Sequence, residues 1–187
     1  MAEESLFVAQ AQSVARGILK PPLRVERGAP LLYEITVNNN LEVMTELQVR
    51  EPKRGKSAFQ TDLCIFEDKS SEISIPRVVI EFKTKITTHD ILTYSAKAIR
   101  HKKIYPYLRY GVIASTEKAV PGRVFTHNEG LDFFASIDGL GEIKFKRFLR
   151  SLLKAEIAAS KCLEEVVFGK VKTRLFRSEV IIDRSTL

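Results

Sequence analysis

Residues 77–83 read Arg-Val-Val-Ile-Glu-Phe-Lys directly after Pro76, a run so rich in β-branched residues that it predicts a strand. The next thirty residues limit where that strand can sit. Thr88 is a capping residue ahead of an amphipathic pattern over 89–104, carried by Ile91, Leu92, Ser95 and Ile99, and Tyr105-Pro106 closes it. Tyr110 to Ser115 is a second short apolar run. Strand, helix and strand within roughly forty residues make a βαβ unit, with parallel strands and a right-handed crossover. Both faces of such a strand are usually covered, so the charges at Glu81 and Lys83 demand a reason.

The flanking chain fills out an α/β fold. Phe7, Ala11, Val14, Ala15 and Ile18 share one face of a helix predicted over 3–19, which Pro21 and Pro22 end. Residues 41–50 alternate, with Val43, Thr45, Leu47 and Val49 on one side, and Phe59 to Glu67 reads as a further strand. The polar, basic connection from Pro52 to Ser57 should leave these two antiparallel. Leu31 to Ile35 opens a helix or forms a short strand, and Asn38-Asn39-Asn40 is a turn or cap signal. Downstream, 131–137 is expected as an edge strand, 143–163 as a helix and 166–184 as strands or a hairpin. Phe145, Phe148, Leu149, Leu152, Leu153 and Ile157 form the helix's apolar stripe. The expectation is a central mixed β-sheet flanked by helices, in a single domain over 1–187 with its core at 28–116.

Composition narrows the partners. The 187 residues carry a net charge of +7, which suits a polyanion such as nucleic acid. Two distant cysteines, Cys64 and Cys162, and three scattered histidines supply no zinc-site spacing. Both thiols are expected to be buried, in a reducing compartment. His89, His101 and His127 are expected at the surface, although His101-Lys102-Lys103 has the makings of a phosphate contact. Glu3 and Glu4 are the wrong charge for a signal peptide, and no apolar run approaches the ~20 residues of a membrane span. A soluble cytoplasmic protein is expected.

Three residues carry the chemistry. Asp62 interrupts a strand whose Leu63 and Ile65 suit the interior, so its carboxylate lies on the opposite face near a strand end. Glu81 and Lys83 are two apart and share a face, while Phe82 between them points the other way. If the two strands are neighbours, Asp62, Glu81 and Lys83 converge. Two carboxylates with the Phe82 carbonyl make hard oxygen ligands suited to Mg²⁺, and Mn²⁺ should substitute. A lysine beside them can orient or deprotonate water, or neutralise charge on a phosphate. The bland alternatives are a solvent-facing Glu81–Lys83 ion pair and a turn role for Asp62.

Asp62, eighteen residues, then Glu81-Phe82-Lys83 resembles the active-site signature of the PD-(D/E)XK nucleases. The likeness covers roughly residues 30–116: a hairpin carrying the aspartate, an apolar strand ending in ExK, an amphipathic helix and a short strand. It implies a restriction-endonuclease-like core and Mg²⁺-dependent hydrolysis of DNA phosphodiester bonds by Asp62, Glu81 and Lys83. Thr61 stands where the family name has proline, which costs no ligand. Many members add a glutamate from a helix before the hairpin, and Glu34 is the candidate here. The exonuclease branch carries Gln-x-x-x-Tyr on the following helix, where this chain has Asp90 and Tyr94.

Basic residues surround the motif: Lys53, Arg54 and Lys56 in the connection, Lys85 just past it, and Lys97 and Arg100 on the next helix. Lys146, Arg147, Arg150, Lys154 and Lys161 gather opposite the apolar stripe of helix 143–163, and Lys170, Lys172 and Arg174 alternate. Such one-sign stripes, Arg150 and Lys154 among them, suit backbone phosphates, and no base-reading motif stands out. The implied partner is DNA, expected double-stranded, with a homodimer left open. A restriction or defence endonuclease is the first setting and a DNA-repair or recombination nuclease the second. The rival is a non-catalytic nucleic-acid-binding or assembly module on the same fold.

Overall fold

The computed structural model describes every residue except 1, 44–48, 51, 55–56, 170, 176–180 and 183–187. Its centre is a five-stranded mixed sheet with helices on both faces, an α/β architecture. The strands are β1 (Leu23–Arg27), β4 (Leu63–Asp68), β5 (Ser74–Lys83), β6 (Arg109–Ala114) and β7 (Phe133–Ser136), side by side in that order. β1 and β5 each pair antiparallel with β4, while β5, β6 and β7 run parallel. A separate ribbon pairs β2 (Pro30–Leu32) with β3 (Ala58–Gln60).

The helices divide between the faces. α1 (Ala2–Ile18) and α4 (Glu142–Phe168) cover one face, where Val8, Ala11 and Ala15 meet Leu149 and Leu153 over Ile65, Val78, Ile80 and Phe82. α2 (Thr88–Ile104) and α3 (Gly122–His127) lie on the other, over Cys64, Val79, Tyr110 and Val112. The βαβ expectation holds in β5–α2–β6, whose strands pair in parallel from Val78 opposite Arg109 to Lys83 opposite Ala114. The cap of α2 is Thr87, one residue earlier than expected. Its hydroxyl accepts from the Asp90 N–H, and the Asp90 carboxylate accepts from the Thr87 N–H, a reciprocal capping box.

Several expectations are corrected. Residues 59–67 are not one strand, because the chain leaves β3 at Thr61 and enters the main sheet at Leu63. Buried Thr61 gives both its N–H and its hydroxyl to the Ala29 carbonyl, which holds the crossing point. The antiparallel partners of β4 are β1 and β5, not a strand at 41–50. Of that segment, 44–48 lie outside the described residues, and Val43 makes only an isolated bridge to Val37. Leu31 to Ile35 contributes the end of β2 rather than a helix. α4 runs on through 166–168 because nothing breaks it before Gly169, and no strand forms at 171–175.

β5 begins before Pro76, at Ser74. Ile65 pairs Val78 and Phe66 pairs Pro76, so Arg77 is the extra residue of a bulge. The bulge turns Arg77 onto the α4 side, where its guanidinium is fully buried against Glu67, Ser160 and Glu164.

Candidate active site

β4 begins at Leu63, opposite Ile80, but β5 continues to Lys83, so the last residues of β5 project past their neighbour. Asp62 fills that gap. Its carboxylate Oδ2 accepts the Phe82 N–H at 2.8 Å, and its own N–H points to Glu81 Oε2 at 3.3 Å. Its carbonyl accepts from Gly28, which has a positive φ of 70° and whose α-carbon lies against the Gln60 side chain. In a strand, the N–H and C=O of one residue face the same neighbour. The Phe82 carbonyl is therefore turned to the Asp62 side, while the Phe82 ring packs edge-on against Phe7 in the core, 4.9 Å between centroids.

Glu81 lies on the α2 face and is 2% exposed. Its Oε1 accepts the Tyr110 hydroxyl at 2.5 Å and has the Lys97 ammonium at 3.8 Å. Burial pushes its pKa up to about 7, and the neighbouring Asp62 carboxylate adds to the rise. Lys97 and the Tyr110 hydroxyl pull it back only in part. Glu81 thus shares its corner with a second carboxyl, and the positive charge nearby does not offset its burial.

Lys83 closes β5. Its Nζ lies 3.4 Å from Glu4 Oε1, in the first turn of α1, and 5.9 Å from the centre of the Tyr94 ring. Lys97 sits 5.2 Å from the same ring. Burial raises the Tyr94 phenol far above its ordinary value, so it stays protonated beside the carboxylates.

Asp62 and Glu81 are therefore in contact and Lys97 joins them, while Lys83, two residues along β5, has Glu4 and the Tyr94 ring as its neighbours. Among the described residues, no hydrogen bond or ion pair joins Glu34 to Asp62 or Glu81; its carboxylate lies near the adjacent Tyr33 phenol instead. Arg54 and Lys85 are exposed, as are Lys53 and Arg100, while Lys56 lies outside the described residues, as does Lys170. Arg150 and Lys154 border a different feature, a groove of about 690 Å³ between α4 and the end of α1, lined also by Leu19, Lys20, Pro22 and Lys161. That end of α1 is about 20 Å along the helix axis from Glu4. Lys161 bonds Glu67 at 3.0 Å instead of facing phosphate.

His101 is not at the surface. It is fully buried, its Nδ1 is 2.8 Å from the Leu32 carbonyl, and burial pushes its pKa down to about 4. The cysteines also divide, Cys64 buried and Cys162 exposed on the outer side of α4. Two participants went unread in the sequence. Glu4 precedes Phe7 and Val8 by one helical turn, which places it on the sheet-facing side. Tyr110 aligns with Val79 on the neighbouring parallel strand, two residues before Glu81.

No protein-family model matches the chain, and no curated protein does. Among the described residues, no group of three His, Cys, Asp or Glu side chains could hold a metal ion by itself. Asp62 and Glu81 Oε2 with the Phe82 carbonyl are all oxygen donors, a type that would fit an oxygen-seeking divalent ion keeping several waters. The raised Glu81 pKa agrees, since a cation there would relieve the repulsion that contributes to it. Among the described residues, no helix is long and apolar enough to cross a membrane.

Proposed function

We propose that the chain is a Mg²⁺-dependent nuclease of the PD-(D/E)XK type, with a restriction-endonuclease-like core, that hydrolyses phosphodiester bonds in DNA. The observation that carries the reading is the meeting of half-buried Asp62 with buried Glu81 at the overhanging end of β5, with Lys83 two residues on. A half-exposed ion pair would need none of this. Glu81 does not pair with Lys83, and its pKa, raised by burial and by Asp62, supports the reading, since perturbed carboxyls cluster at functional sites.

Asp62 and Glu81 Oε2, with the Phe82 carbonyl, are the residues that would hold the ion. Bound there, Mg²⁺ supplies a water of lowered pKa and positive charge against the phosphate oxygens. Tyr110 and Lys97 fix Glu81 Oε1, leaving Oε2 toward Asp62. Lys83 exchanges Glu4 for a phosphate oxygen and neutralises the charge that grows there. Mn²⁺ substitutes for Mg²⁺. A restriction or defence endonuclease is the first biological setting and DNA repair the second.

The test is incubation of purified protein with supercoiled plasmid and with circular single-stranded DNA, each with Mg²⁺, Mn²⁺ or chelator. Ion-dependent cleavage that Asp62→Asn abolishes is the expected result. No cleavage of either DNA with either ion, or equal cleavage by Asp62→Asn, would leave the rival reading, a non-catalytic nucleic-acid-binding module.

A further inference from the structure

α2 lays out Tyr94, Lys97 and Arg100 at three-residue steps, each beside the next, in a row that winds from buried Tyr94 out to exposed Arg100. Two rings from the β2–β3 ribbon are set against this line. Tyr33, just past β2, stacks on Phe59 of β3 with centroids 3.9 Å apart and planes 13° apart. The Arg100 guanidinium lies 5.7 Å from the Tyr33 ring centre, and the Lys97 ammonium 5.9 Å from that of Phe59. The same ammonium is 3.8 Å from Glu81 Oε1, so one side chain spans from the carboxylates to the aromatic pair.

Both rings are half-buried and neither belongs to the two core clusters. Phe59 meets buried His101 edge-on, which leaves Tyr33 as the outer ring, with Arg100 exposed beyond it. In a duplex the bases stack on one another and leave no face for a protein ring, which meets only the backbone and the base edges in the grooves. Rings interleaved with cations suit a strand whose bases are unpaired, since every base has a face to stack and the phosphates follow the cations.

We propose that Arg100, Tyr33, Phe59 and Lys97 form a stacking platform for an unpaired nucleotide of DNA. The platform delivers the adjoining phosphodiester to Asp62 and Glu81. The substrate is then single-stranded DNA or a duplex carrying a single-stranded tail, where the sequence led to an expectation of double-stranded DNA. The binding half stands on the geometry of the strip; the delivery half rests on the nuclease reading above.

The chain contains no tryptophan, so Tyr33→Trp installs a single reporter on the platform. In metal-free buffer, oligothymidylate should quench its emission, and should bind at least roughly tenfold tighter than a hairpin duplex of equal length. Tyr33→Ala should lose roughly tenfold in oligothymidylate affinity with duplex affinity unchanged, while Tyr33→Phe keeps both. Melting curves of all three variants should match the parent chain. Duplex binding equal to or tighter than oligothymidylate, unquenched emission at saturation, or equal losses in Tyr33→Ala and Tyr33→Phe would overturn the platform. Because these titrations contain no metal, failure to cleave DNA bears on the nuclease reading alone. Cleavage of duplex without a fluorescence response overturns the platform alone.

Discussion

The Tyr110 hydroxyl donates a 2.5 Å hydrogen bond to Glu81 Oε1 between two neighbouring parallel strands, with both side chains buried. It gives the two oxygens of one carboxylate different work. Oε1 is anchored, with Lys97 near it, and Oε2 is turned to Asp62. If Glu81 holds an ion as proposed, loss of a group that orients it in this way typically costs roughly 10–100-fold in ion affinity.

Tyr110→Phe keeps the ring in the core and removes only the hydroxyl. Mn²⁺ affinity by calorimetry should fall roughly tenfold. The hydroxyl also lowers the Glu81 pKa, so its loss should move the acidic limb of the cleavage profile to higher pH. Unchanged ion affinity together with an unchanged profile would reduce Tyr110 to packing.

Metal-free stability should carry two opposed pH slopes. Glu81 is raised from 4.5 to about 7, so over that interval the native chain holds more protons and stability falls as pH rises. His101 is lowered from 6.5 to about 4, so there the unfolded chain holds more protons and stability falls as pH drops. Each is worth roughly 3 kcal/mol at full extent, and they partly cancel where the intervals overlap. Glu81→Gln should unmask a stability that climbs with pH, and His101→Phe one that declines. Urea titrations across this range would count against both assignments if the two variants shared the parent's slope.

The site was legible in the sequence where local signals agreed with the tertiary outcome. The β-branched run ahead of Glu81 marked a buried strand, and its period of two separated Glu81 from Phe82. Alternation failed where no burial followed it. Val43 is 60% exposed and Val49 54%, so at the two described positions of that face the strand period is not followed by burial. β1 failed in the other sense, since only Val25 of its five residues is buried and charges hide the pattern. His101 escaped notice for its polarity, although it continues the buried stripe of Ile91, Tyr94, Ser95 and Ala98. Glu4 could be placed only by tertiary packing, which brings the first turn of α1 to the end of β5.

Away from the site, Arg77 should behave as a structural charge. Burial alone would raise the Glu67 carboxyl, but hydrogen bonds from Lys161 and Arg77 hold it below its ordinary value. Arg77→Ala strands Glu67 in the interior and should cost about 3–5 kcal/mol in urea denaturation. Arg77→Met combined with Glu67→Met should recover much of that loss, because no unpaired charge is left. A single variant as stable as the parent would mean that Lys161 and Lys69 already satisfy Glu67.

The sharpest division between enzyme and binding module lies in the signs of metal-free DNA binding. Asp62 and Glu81 repel phosphate until an ion arrives, so Asp62→Asn and Glu81→Gln should abolish cleavage while binding stays equal or tightens. Lys83→Ala should abolish cleavage and weaken binding, because a cation beside the phosphate is lost. Glu4→Gln releases the Lys83 ammonium from its 3.4 Å partner and should tighten binding, by up to about fivefold or ~1 kcal/mol for a partly exposed pair. Misfolding would weaken binding in all four variants, so the opposed signs exclude it. A purely structural Glu4–Lys83 pair predicts otherwise: melting temperature falls when either partner is removed, and DNA affinity hardly responds. The measurement is a metal-free titration beside a melting curve for each variant. If Asp62→Asn and Glu81→Gln both lose stability while plasmid cleavage persists, Asp62 and Glu81 are not the catalytic carboxylates.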